Sequence, residues 1–65
     1  MELVGESTNS WKEAVKSAVR EAARAGNEVT GVEVINFTAN VQEGDVVEYK
    51  ANVKIACADP GTKRM

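Results

Sequence analysis

Carboxylates crowd one short stretch of this chain. Glu43, Asp45 and Glu48 stand close together, with the side-chain amides of Asn40 and Gln42 beside them and Glu33 a little upstream. Such oxygens are ligands for a hard cation, and calcium takes roughly six to eight of them, some from backbone carbonyls. The D-x-[DN]-x-[DN]-G order of a calcium loop is absent. Glu33, Glu43, Asp45 and Glu48 are therefore metal candidates on charge alone, and the plainer reading is a polar turn. A closed assembly of identical chains would repeat each carboxylate around a symmetry axis, which favours an ion held between chains. A second constellation is cationic. Lys12, Lys16, Arg20 and Arg24 recur every four residues along one flank of a helical segment. They suit an anionic partner or a phosphate-bearing cofactor such as coenzyme A; the alternatives are a solvated edge or pairing with Glu13, Glu21 or the acidic turn.

Other chemistry is poorly supplied. The chain has no histidine and a single cysteine, Cys57, so neither a Cys-His nor a Ser-His pair is available for nucleophilic catalysis. Its five glycines form no phosphate loop. Cys57 continues the inward series of the last strand and reads as a small buried hydrophobe. No enzyme is expected. With a net charge of −2 and a pI near 5.0, the chain lacks the basic footprint of a nucleic-acid binder. It also has no apolar run near the ~20 residues of a membrane span. One unpaired cysteine suits a reducing compartment, so a cytoplasmic location is expected.

The elements that carry these residues follow from periodicity. Val47, Tyr49, Ala51, Val53, Ile55 and Cys57 alternate with Glu48, Lys50, Asn52 and Lys54, the pattern of a strand with one apolar face. Residues 29–41 form the preceding strand, and Glu43-Gly44 read as a two-residue hairpin loop. That loop sets Gln42 opposite Asp45, Val32 opposite Ile55 and Val34 opposite Val53. On the other face it sets Glu33 opposite Lys54, Ile35 opposite Asn52 and Phe37 opposite Lys50. Upstream, Glu2-Leu3-Val4 reads as a short strand stopped by Gly5, with strand residues expected to precede Met1. Ser10-Trp11-Lys12-Glu13 reads as a capping box. From it a helix runs over about residues 11–25, with Trp11, Ala14, Val15, Ala18, Val19 and Ala22 on one stripe and Gly26 at its end. Trp11 is expected to pack under the loop from the first strand.

The order is β-α-β-β, a domain over 1–57 of the α+β class, with a three-stranded antiparallel sheet wrapped on one helix. Residues 58–65 read as a frayed or vector-derived tail. One helix covers one face of the sheet and leaves Ile35 and Phe37 on the other. A chain of 65 residues buries only about 60% of its unfolded surface. With disulfide and Cys/His metal staples excluded by composition, self-association is the remaining remedy.

Several segments together resemble the dodecin family: Glu2-Leu3-Val4-Gly5-Glu6-Ser7, Ser10-Trp11-Lys12-Glu13-Ala14, and the hairpin through Glu33-Val34, Glu43-Gly44 and Tyr49. The similarity spans about residues 2–57. It implies a β-α-β-β protomer and twelve copies forming a hollow shell, with neighbours covering the second face. Flavin-binding dodecins stack paired isoalloxazine rings between tryptophans of symmetry-related chains. The resemblance places Gly31 at that tryptophan, and Lys50 at the glutamine that hydrogen-bonds the ring. Gly31, Phe37 and Lys50 then mark a degenerate flavin site, since glycine offers no π-surface and aromatic stacking adds ~0.5–1.5 kcal/mol. Trp11, on the helix and facing the core, is not expected to replace the missing ring. Some relatives without the tryptophan are associated with calcium, and the resemblance implies a non-enzymatic homo-oligomeric binding or storage protein, with calcium the expected ion between subunits. The rival is sequestration of a flavin or other aromatic ligand through Phe37, Lys50 or Tyr49.

Overall fold

A computed structural model describes residues 1–58. The elements are β1 (Glu2–Ser7), α1 (Trp11–Arg24), β2 (Val29–Gln42) and β3 (Asp45–Cys57). The strands form one antiparallel sheet in the order β1-β3-β2. β3, the strand with the cleanest alternation, is the middle strand. The expected β-α-β-β order and sheet are present.

Gly5 does not stop β1. It pairs with Ala51 in the middle of the strand and is buried. A Cβ built on it would lie 1.9 Å from the Ala14 carbonyl oxygen and 3.0 Å from Ala18 Cβ. The glycine lets the helix backbone settle onto the sheet, and the alanines of α1 meet it there. Ala14, Ala18 and Ala22 are all buried, together with Ala51, Val53 and Ile55. Leu3, Val15, Val19, Val29 and Cys57 pack partly against this core.

Local chemistry sets the helix ends. Ser10 Oγ accepts the Glu13 N–H at 3.1 Å, one half of the expected capping box. The other half is supplied differently: Ser10 N–H donates to Ser7 Oγ at 3.4 Å, while the Glu13 carboxylate lies 4.0 Å from Lys16 Nζ. At the other end Gly26 takes φ +99°. The Gly26 and Asn27 N–H groups close on Ala23 O (3.0 Å) and Ala22 O (3.3 Å), satisfying carbonyls that a helix end leaves open.

Glu43 and Gly44 both take positive φ, +51° and +83°, the signature of a tight two-residue hairpin turn. Gln42 faces Asp45, and Val32, Glu33 and Val34 face Ile55, Lys54 and Val53 as expected. Between these ends the register departs from the sequence reading. Asn36, not Ile35, faces Asn52; Phe37 faces Ala51; and Thr38, not Phe37, faces Lys50. Ile35 is the extra residue of a β-bulge, and the ladder shifts again at Val29/Gly31 and Asn40/Val41. A bulge opposes two residues to one and bends its strand. Here it moves Phe37 from the outer face to the face that carries the helix. Beyond β3, the Ala58 N–H donates to Glu28 O at 2.9 Å; the rest of the expected tail lies outside the described residues.

Candidate functional site

The outer face of the sheet is where the sequence places a site. Pairing across the three strands sets Glu2, Lys54 and Glu33 in one row, Val4, Asn52 and Asn36 in the next, and Glu6, Lys50 and Thr38 in a third. Polar contacts tie the rows. Asn52 Nδ2 donates to Asn36 Oδ1 at 2.5 Å, Asn40 Nδ2 donates to Glu48 Oε1 at 2.9 Å, and Lys50 Nζ lies 3.8 Å from Glu6. Among them Val4 and Ile35, 54% and 47% exposed, form an apolar break. An open hollow of about 340 Å³ runs between them, bordered by Glu2 and Asn52.

Gly31 and Lys50 both occupy this face, but not together. Gly31 faces Ala56 and Lys50 lies six residues back along β3, a separation of about 20 Å at the rise of a strand. No single aromatic ring spans that distance. Gly31 has room for a side chain, since a Cβ there would meet only Ala56 Cβ at 3.9 Å. Phe37, the third expected member, is on the opposite face.

The four candidate metal carboxylates are dispersed. Glu33 is set against Lys54 in mid-sheet, Glu43 is in the turn, Asp45 opens β3, and Glu48 is engaged by Asn40. Among the described residues no three His, Cys, Asp or Glu side chains come together as an ion site within the chain. No polar or charged side chain there is buried, so a ligand meets exposed polar groups and apolar patches.

Sequence reasoning missed an aromatic cluster on the helix face. Trp11 is its centre. It lies over the hairpin, its ring centroid 4.9 Å from Tyr49 edge-on and 5.8 Å from Phe37. Its Nε1–H donates to Thr38 O at 2.8 Å, which fixes the indole plane. Trp11 is still 40% exposed and Phe37 50%, so the expectation that Trp11 faces the core is corrected. The bulge that turns Phe37 inward leaves no mark in an alternation pattern.

A single helix seated on a three-stranded antiparallel sheet, the sheet's far side polar apart from the break at Val4 and Ile35, defines a small β-α-β-β fold. The chain belongs to the dodecin family, whose model matches residues 1–58. Its fold is similar to that of a dodecin from Streptomyces coelicolor, with a TM-score of 0.83 at 23% identity, covering 91% of this chain and 86% of that one. No curated protein matches the chain. Among the described residues, no helix is long and apolar enough to cross a membrane.

Proposed function

We propose that this chain is the subunit of a non-enzymatic homododecamer that binds and stores a small ligand in spaces between copies. One observation carries the reading. Among the described residues the buried hydrophobic core consists of six, four of them alanine, while Val4, Val32, Val34, Ile35, Phe37 and Val41 are all exposed. Burying apolar surface stabilises by about 25 cal/mol per Å², and the surface still wet on one chain is what a neighbour of identical sequence would cover. Membership of the dodecin family supports a ligand of the flavin type. The separation of Gly31 from Lys50 supports a site shared between chains.

In this reading Gly31 leaves the flavin site without its stacking ring, and riboflavin binds weakly. Native mass spectrometry of the protein with added riboflavin tests this, since it reports stoichiometry and bound mass together. The expected result is a twelve-chain species carrying little flavin. The Gly31→Trp variant, at a position where an added Cβ meets no clash, should take up paired flavins and quench their fluorescence. Strong riboflavin binding by the unaltered chain would overturn the degenerate site. Stoichiometric calcium on the assembly would instead assign the intersubunit space to carboxylates gathered from several copies.

A further inference from the structure

The β2–β3 hairpin outruns the helix. Trp11, the first residue of α1, already lies beside Thr38, so the strands continue past the helix N-terminus for about four residues, or about 13 Å. The molecule is accordingly long, 54 Å by 19 Å by 14 Å. This arm is mixed in character. Val41, Val46 and Val47 are all exposed on it. Its charged groups over residues 40–48 are Glu43, Asp45 and Glu48, with no lysine or arginine among them.

A surface of matching character lies on α1. The side of the helix turned away from buried Ala14, Ala18 and Ala22 carries Lys12, Lys16 and Arg20, all exposed. At 100° per residue, Val15 and Val19 lie between the buried stripe and these cations, and both are only half-buried. The strip is thus apolar along one border and mainly basic along the next, where Glu13 lies 4.0 Å from Lys16 Nζ. The arm offers valines with an all-acidic tip.

We propose that the arm of one copy docks on α1 of a second copy, with Val41, Val46 and Val47 against Val15 and Val19, and Glu43 and Asp45 toward Lys16 and Arg20. This deepens the homo-oligomeric reading and rests on it. The contact is head-to-tail: every copy gives an arm and receives one. A contact of this kind closes into a ring when its rotation allows, which suits a shell. Exposed ion pairs are individually weak, so the valines hold the contact and the charges select its direction and register.

Isotope-mixed cross-linking tests it. Chains labelled with ¹⁵N and unlabelled chains are co-refolded and treated with a zero-length carbodiimide. The expected product joins Glu43 or Asp45 of one isotope to Lys12 or Lys16 of the other. Glu43→Lys with Asp45→Lys should lower the assembled fraction at least tenfold at fixed protein concentration, and adding Lys16→Glu and Arg20→Glu should restore most of it. Circular dichroism checks that each variant folds, and the cross-link in the unaltered protein decides the matter if a variant does not. An intact assembly whose cross-links avoid these pairs, or join only chains of one isotope to themselves, overturns the arm contact alone. A monomeric protein overturns both this contact and the oligomeric reading.

Discussion

Two glycines in this chain have opposite meanings, and the distinction lies in what a Cβ would meet. At Gly5 it would strike the Ala14 carbonyl at 1.9 Å, a backbone atom that cannot move aside without lifting the helix. At Gly31 it would meet only a methyl at 3.9 Å. Overpacking a tight contact costs typically 1–3 kcal/mol and occasionally more. Gly5→Ala should therefore lower the free energy of unfolding by about 2–3 kcal/mol, read as a shift of the urea midpoint. Gly31→Ala should leave the midpoint nearly unchanged. Equal effects at the two sites would refute the assignment of Gly5 to helix–sheet contact. Neither role is legible from sequence alone. Gly5 looks like a strand terminator because glycine weakens strands, and only the alanine run Ala14, Ala18, Ala22 hints that a backbone must come close. The vacancy at Gly31 is visible only beside the family resemblance.

At the scale of elements, alternation located β3, the hairpin signal located β2 and the helical stripe located α1, because each pattern reports which side is dry; β1 was read only as Glu2-Leu3-Val4, short of its end at Ser7. The turn was equally legible, since Glu43-Gly44 leaves few geometries for a two-residue loop. It also carries a cost: Glu43 sits at φ +51°, where residues other than glycine and asparagine lose about 1–2 kcal/mol. Glu43→Asn should raise stability by about 0.5–1 kcal/mol in thermal or denaturant unfolding, and a loss of stability would show that the Glu43 carboxylate makes a contact that matters more. The bulge at Ile35 was not legible. Its extra residue displaces the register by one from Asn36 to Asn40, and this moves Phe37 next to Trp11 while Ile35 remains beside Val4. A face assignment extrapolated from a hairpin turn holds only as far as the first irregularity. The candidate site inherits that limit: Gly31 and Lys50 were placed on the correct face, Phe37 was not.

At the scale of the whole molecule, the balance between a six-residue core and a wide exposed apolar surface decides the account. No rearrangement of a single helix covers both faces of the sheet, and the hairpin arm extends where no helix follows. Ile35, at the bulge and 47% exposed on the outer face, separates folding from assembly. Ile35→Lys should leave the fluorescence of Trp11 close to that of the unaltered protein, because the aromatic cluster lies on the opposite side of the sheet, yet it should shift the protein toward smaller species in gel filtration. If the variant assembles fully, the outer face is not a contact between copies.

Sedimentation velocity of the unaltered protein at micromolar concentration addresses the central claim directly. The prediction is one boundary near twelve times the 7.0 kDa chain mass, stable on dilution. A cooperatively folded species sedimenting at the mass of one chain would contradict it.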